Sequence, residues 1–218
     1  MIIDIEGTDG SGKHTQTIKL YEKLKDKGFK CLLISFPNYE SESSAPVKMF
    51  LRGDLGDKVS CLNCYQASVL FAVDRLITMK KLNLNDYDYV LFDRYTPSNM
   101  IHQSTRIQNE NELDEFLEWL EDFEYGKLGL PKPDKCVFLD VPVDVSFKLA
   151  KERGELKNGQ ANDIIEADKD ELYRAYSRAK YVAKKFDWDV IDCVDNGLKS
   201  IEEIHNEILT KLNLNDIL

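Results

Sequence analysis

"IEGTDGSGKHTQ", residues 5–16, is the stretch that decides the fold. Gly7, four residues, then Gly12 and Lys13 match the spacing of a phosphate-binding loop. Glycines let successive backbone N–H groups turn inward around an anion, and the helix that follows adds its positive N-terminal end. The flanks supply the context such a loop needs. "MIIDI" before it reads as a buried strand, and residues 15–25 after it place Ile18, Tyr21 and Leu24 along one side of a helix. Gly7, Asp9, Gly10, Ser11, Gly12, Lys13, His14 and Thr15 are the expected contacts to a nucleotide, with Lys13 reaching the β- and γ-phosphates. The alternative is a Gly-rich turn that merely joins strand to helix.

His14 stands where a Ser or Thr usually ligates Mg²⁺. A neutral imidazole is a poorer partner for a hard cation, which prefers oxygen. The metal then falls to other oxygens: nucleotide phosphates, waters and the carboxylates of Asp9 or Asp93. Thr15 is no direct substitute, because one residue along a helix turns the side chain by about 100°. Asp93 ends the apolar run "YVLFD", where a carboxylate beside the loop reaches a cation or its water shell; a helix cap or turn residue is the ordinary alternative.

Five short runs read as strands: "MIIDI", "KCLLISF", "YVLFD", "KCVFLDV" and "WDVIDCV". They do not alternate, so both faces are expected to be covered. Amphipathic stretches lie between and after them; residues 199–212 place Ile201, Ile204, Ile208 and Leu212 on one side. The fold class that follows is α/β of the P-loop NTPase type, a three-layer α/β/α arrangement about a five-stranded parallel sheet. One domain over residues 1–218 is expected. The polar stretches at 37–60 and at about 151–168 interrupt it in the manner of binding loops and lids.

A formal net charge of −10 argues against broad nucleic-acid or membrane binding. It does not argue against a phosphate ligand, which responds to local donors. No apolar run is long enough to span a bilayer, and "MIIDIEG" lacks the basic start of a secretory signal, so a cytoplasmic setting is expected. The five cysteines include a C-x-x-C at Cys61 and Cys64, but zinc would need a second pair. Cys31, Cys136 and Cys193 are scattered singles, and the apolar surroundings favour buried small residues over a redox pair.

Four more pieces follow in order: "FPNY" at 36–39, "LFAVDR" at 70–75, "DRYTPSN" at 93–99 and "LGLPKPD" at 128–134. With "GTDGSGK" they resemble the thymidylate kinase family, P-loop kinases that convert dTMP to dTDP with ATP on the way to dTTP. "DRY" alone is a weak signal; the ordered set along most of the chain is a strong one. The resemblance implies ATP as donor, dTMP as acceptor, Mg²⁺ as companion ion, and a homodimer.

Phe71 and Arg75 are four apart, hence on one helix face. Taken alone they read as a core Phe and an exposed Arg. The resemblance makes Phe71 the residue that stacks on thymine and Arg75 the arginine that binds base or phosphate. Arg94, directly after Asp93, can bridge acceptor and donor phosphates. Ser98 and Asn99 match family positions that face the base, and an amide offers thymine both a donor and an acceptor. Phe36 and Pro37 would wall the pocket, with Tyr39 near the acceptor phosphate. His102 and Gln103 fall one turn beyond Asn99, where the family contacts base or sugar; many relatives carry an aromatic residue at the position of His102. Asp9 corresponds to a carboxylate directed at the sugar 3′-OH and the metal. Gly10 stands where some members have Arg, which moves the catalytic arginine to the lid. Arg153 is the only Arg there, with Lys151 and Lys157 nearby. Asp163 and Glu166 resemble acidic positions near the acceptor, a solvated helix start being the alternative.

A nucleoside monophosphate has a second phosphate pKa near ~6, so its oxygen needs no general base at neutral pH. Catalysis is then positioning and charge neutralisation by Lys13, Arg94, Arg153 and Mg²⁺. A deoxynucleoside kinase, by contrast, would want a carboxylate base at the end of the second strand, where Phe36 and Pro37 stand. Another pyrimidine monophosphate kinase and a non-catalytic nucleotide-binding protein are the remaining rivals; His14 and the sparsely basic lid are the best support for the last. The helix at 61–81 is apolar nearly all round, which implies burial on two sides, by a subunit interface or by a deeper core.

Overall fold

All five apolar runs form strands in the computed structural model, which describes residues 1–56, 61–156, 169–215 and 217. β1 (Ile2–Glu6), β2 (Cys31–Ser35), β3 (Tyr89–Asp93), β4 (Lys135–Asp140) and β5 (Asp189–Asp192) make one sheet in the order β2-β3-β1-β4-β5. Every neighbouring pair is parallel. The helices are α1 (Lys13–Asp26), α2 (Ala45–Leu51), α3 (Cys64–Met79), α4 (Thr96–His102), α5 (Glu110–Glu121), α6 (Val143–Leu156), α7 (Lys169–Lys185) and α8 (Ile201–Lys211). This is the three-layer α/β/α fold of the P-loop NTPases.

Strand parity assigns the layers, since successive side chains point to opposite faces. Ile3, Ile5, Leu91, Val137 and Leu139 meet Leu20 and Leu24 of α1 and Ile204 and Ile208 of α8 in one core. On the other face Val90 and Phe92 pack with Phe36, Met79 and Tyr95, and Phe138 packs with Ile101, Ala175 and Ala179. The central strands are covered on both sides. The edge strands β2 and β5 are covered only in part, because each has a neighbour on one side only.

α8 buries the expected Ile204, Ile208 and Leu212, and α1 buries the expected Leu24 but rotates its inner face away from Ile18 and Tyr21. α1 turns Lys13, Gln16, Thr17, Leu20 and Leu24 inward and leaves Ile18 and Tyr21 half-buried. Polar residues are tolerated inside because they find partners: Gln16 donates through Nε2 to the Ile201 carbonyl at 2.9 Å, and its Oε1 lies 3.2 Å from Nδ1 of His205. Ile201, at the start of α8, is 54% exposed. Of the C-x-x-C pair, Cys64 is buried and Cys61 exposed, both as free thiols.

β1 carries a second surprise. Asp4 is fully buried between β3 and β4, and neither carboxyl oxygen makes a hydrogen bond among the described residues. Burial, then repulsion from Glu6 and Asp93, raises its pKa well above the usual carboxylate range. Folding therefore retains a proton that the unfolded chain releases above about pH 4. Between the unfolded and the raised folded pKa, stability falls as pH rises. Asp4→Val should raise stability by about 1–3 kcal/mol, with a larger gain at pH 8 than at pH 5. Urea unfolding at the two pH values tests this; a loss of stability at pH 8 would show that the carboxyl has a partner of value.

The chain runs from β1 through α1 toward β2 on one side of the sheet, and from β3 across β1 to β4 on the other. Connections that leave neighbouring strands in opposite directions open a crevice at their carboxyl ends, where ligands bind in open α/β sheets. That crevice lies between the loop after Glu6 and the turn after Asp93.

Candidate active site

The loop's backbone is set by two glycines in the left-handed region. Gly10 has φ +84°, and a Cβ there would lie 2.0 Å from the Ser146 carbonyl oxygen on α6. A side chain at position 10 is thus barred in this arrangement, which gives a physical reason for the missing arginine. Gly12, φ +86°, is the N-cap of α1 and has no side chain with which to cap it. The first N–H groups of a helix have no intrahelical acceptor, so those of α1 remain for an anion. Within the same loop the buried hydroxyls of Thr8 and Ser11 make no hydrogen bond among the described residues. Gly7 packs its Cα side against Ser11, and Thr15 is exposed.

Lys13 is buried in the first turn of α1 and folds back on the loop, with Nζ 3.3 Å from the Thr8 carbonyl and 3.2 Å from Oδ1 of Asp9. Burial, then the nearby Arg94, lowers its pKa. The same Asp9 oxygen accepts from Nη2 of Arg94. Burial alone would favour neutral Asp9, but Arg94 and Lys13 outweigh it and hold the carboxyl far below its usual range. Arg94 stays charged by the converse balance: burial opposes it, and Asp9, Glu6 and Asp93 prevail. Its backbone has φ +67°, in the left-handed region that non-glycine residues rarely enter. Strain of this kind clusters at functional positions.

His102 lies on the far side of Arg94, with Nε2 3.1 Å from Nη1. Burial and the Arg94 charge push its pKa down to about 3, so at neutral pH the imidazole accepts from the guanidinium. Asp9, Lys13, Arg94 and His102 thus form one connected cluster at the switch point. His14 and Asp93 stand beside it: Nδ1 of His14 is 2.6 Å from Oδ2 of Asp93, which also receives Ser35 Oγ at 3.4 Å.

A second cluster holds the residues expected around the acceptor. Arg75 is 2% exposed and donates Nε and Nη2 to the two oxygens of Glu124 at 2.7 and 2.6 Å. Glu124 also accepts from Thr96 Oγ1 at 2.8 Å and Asn99 Nδ2 at 2.8 Å. The second Asn99 donor goes to the Ser68 carbonyl at 3.2 Å, and Asn99 Oδ1 accepts from Gln103 at 3.3 Å. Ser98 donates to Glu6 at 2.6 Å. Phe36 is buried against Phe92 and Tyr95, and the Phe36–Pro37 peptide is cis. Phe71 is half-buried, edge-on to Phe50. Tyr39 is half exposed, and its carbonyl accepts from Lys48. Arg153 falls on α6. Lys157, Asp163 and Glu166 lie outside the described residues.

Three residues that sequence reasoning passed over organise this region. Asp74 accepts the Asn38 N–H at 2.7 Å and Ser43 Oγ at 2.5 Å, tying the segment after Pro37 to α3. Glu124 sits on the π-helical turn Asp122–Lys127 that continues α5. The buried stripe of α5 runs Leu113, Phe116, Leu117, Leu120, and Glu124 is the next position on it. A carboxylate at a core position is the signal that a buried cation waits for it. Glu6 shares a strand face with Asp4 and gave the same signal. A separate hollow of about 240 Å³, lined by Tyr125, Cys136 and Trp188, lies at the amino ends of β4 and β5, opposite the switch point.

Loop, sheet order and facing arginine put this molecule among the P-loop kinases. Within that class the chain belongs to the thymidylate kinase family, whose family model matches residues 5–208. It is 33% identical over 171 residues to the thymidylate kinase of Mycobacterium tuberculosis H37Rv, covering 77% of this chain and 78% of that protein. It is 32% identical over 214 residues to the probable thymidylate kinase of Pyrococcus horikoshii, covering 95% and 93%. The fold matches that of a thymidylate kinase from Candida albicans with a TM-score of 0.72 over 99% of this chain and 92% of that one, at 21% identity.

Proposed function

We propose that this chain transfers the γ-phosphoryl group of ATP to dTMP, giving dTDP and ADP. The observation that carries the reading is the Lys13–Asp9–Arg94 cluster at the mouth of the phosphate loop. Two cations are held there by one carboxylate before any substrate arrives. Entering phosphates then compete with Asp9 for donors that are already placed, and little reorganisation is left for the transition state. An ionised oxygen of the acceptor phosphate attacks the γ-phosphorus, the bond to the β–γ bridging oxygen breaks, and ADP leaves with that electron pair. Arg94 spans the two phosphates while His102 steadies its other nitrogen. Lys13 offsets charge on the donor, and Arg153, from α6, adds to it as a lid over about 151–168 closes.

Mg²⁺ fits this arrangement: Asp9 Oδ2 and Asp93 Oδ1 take no hydrogen bond among the described residues and are hard oxygen donors at the crevice. When bound, the ion neutralises charge between the β- and γ-phosphates. In the acceptor pocket Arg75 keeps Nη1 for a base carbonyl, and Asn99, whose donors are both spent, keeps acceptor capacity at Oδ1 for thymine N3–H. Phe71 stacks on the ring, and Tyr39 and Asp163 approach phosphate and sugar.

A coupled assay of ADP release over a panel of nucleoside monophosphates tests the reading; release that depends on dTMP and Mg²⁺ is expected, and ATP binding without turnover would overturn it. Phe71→Ala should raise KM for dTMP about tenfold or more, since stacking on a base contributes about 1–3 kcal/mol. KM for ATP should stay within about twofold. Equal effects on both substrates would count against Phe71 as the stacking residue.

Two further elements belong to the same proposal. Tyr65, Val69 and Ile77 of α3 are 38%, 37% and 39% exposed in the single chain, flanked by half-buried Val73 and Leu76. An apolar helix face of this kind suits a homodimer interface. No helix among the described residues is long and apolar enough to cross a membrane. A cytoplasmic setting is proposed on the use of ATP as donor.

A further inference from the structure

We infer that His14 is itself a ligand of the nucleotide-borne cation, and that it shifts the site's preference from Mg²⁺ toward first-row transition cations such as Mn²⁺ and Co²⁺. The inference rests on the kinase reading above for the arrival of the cation with ATP. His14 occupies the slot directly after Lys13 that a hydroxyl fills in loops of this type. Its side chain is 59% exposed, while Asp93 behind it is 11% exposed. The 2.6 Å contact between Nδ1 and Asp93 Oδ2 decides the tautomer. A carboxylate only accepts, so the Nδ1–H is directed at Asp93 and Nε2 is the ring nitrogen left for a metal. Metal-bound histidines characteristically donate their second ring N–H to a carboxylate, which fixes the ring and makes the ligating nitrogen more basic. Asp93 is held in turn by Ser35. Orientation and chemistry are those of the carboxylate–histidine pair that a metal ligand of this kind requires.

Among the described residues no group of three or more His, Cys, Asp or Glu could hold an ion unaided. The ion therefore enters with the nucleotide, phosphate oxygens completing its shell. Replacing a hydroxyl by an imidazole exchanges a hard oxygen for a softer nitrogen. Mg²⁺ gains little from that exchange, whereas affinity for nitrogen rises from Mn²⁺ to Co²⁺.

Pulsed electron paramagnetic resonance on the protein with Mn²⁺ and ADP reads the ligand directly. Nitrogen coupling to Mn²⁺ is expected, changing to the ¹⁵N pattern when histidine is labelled and lost in His14→Ser. The chain has three histidines, so one substitution assigns the signal. In the ADP-release assay, His14→Ser should lower the Co²⁺/Mg²⁺ ratio of kcat/KM by about tenfold or more, the scale on which metal sites respond to lost partners. Absence of nitrogen coupling in the wild type, or coupling that survives in His14→Ser, overturns the assignment; an unchanged ratio overturns the claim on selectivity. If no cation supports dTMP-dependent turnover while the His14-dependent coupling is present, the kinase reading falls and the metal ligand stands.

Discussion

Lys13→Ala should lower kcat for dTMP phosphorylation by about 10³-fold or more, the scale of losing a preorganised charge stabiliser from an active site. The fold should survive. Lys13 is buried against Asp9 and the Thr8 carbonyl, and burial together with Arg94 already weighs against its charge. Removing it leaves Asp9 paired with Arg94, so no buried carboxylate is stranded. Alanine is also a good residue for the first turn of α1. A circular dichroism melt and a dTMP titration, read together, separate the two effects. Full activity in the variant would refute the assignment of the loop to the phosphate donor. Lost activity with a collapsed melt would show that Lys13 holds the loop together.

The largest stability effect is expected at Glu124. Its carboxylate is fully buried and is the shared acceptor of Arg75, Thr96 and Asn99. Burial by itself disfavours the Arg75 charge, and Glu124 more than offsets it. Glu124→Ala leaves a guanidinium in the core without a counter-charge, which costs about 3–5 kcal/mol. The double change Glu124→Leu with Arg75→Met should recover much of that loss, since a well-packed apolar pair replaces a buried ion pair at little cost. It should not recover dTMP affinity, because Arg75 and the orientation of Asn99 both go with the network. Urea unfolding and KM for dTMP provide the two readouts. A single variant within 1 kcal/mol of wild type, as ~1 kcal/mol is the ordinary size of a point-mutant effect, would mean that Arg75 finds another partner or water.

Much of the candidate site was legible along the chain because it is local. Gly7 through Thr15 are consecutive, and strand, loop and helix follow one another without a break. Asp93 and Arg94 end a strand whose apolar run is plain. Two local departures have physical reasons. Of Ile18, Tyr21 and Leu24, the apolar side of α1, only Leu24 is fully buried, because the helix is rotated so that Gln16 meets His205. Arg75 reads as an exposed residue four from Phe71, yet it is sealed in by a carboxylate that only a π-helical turn brings round.

Sequence alone determined the parallel α/β architecture, the glycine loop between β1 and α1 and the family, because these rest on periodicity and on short spacings that one stretch of chain carries within itself. Tertiary structure alone decided who neutralises whom. Arg94 meets Asp9 across 85 positions, Arg75 meets Glu124 across 49, and His14 meets Asp93 across 79. No period along the chain encodes such pairs: the packing of separate strands and helices brings the partners together, and where burial is complete, as at Arg75 and Glu124, it makes the partner necessary.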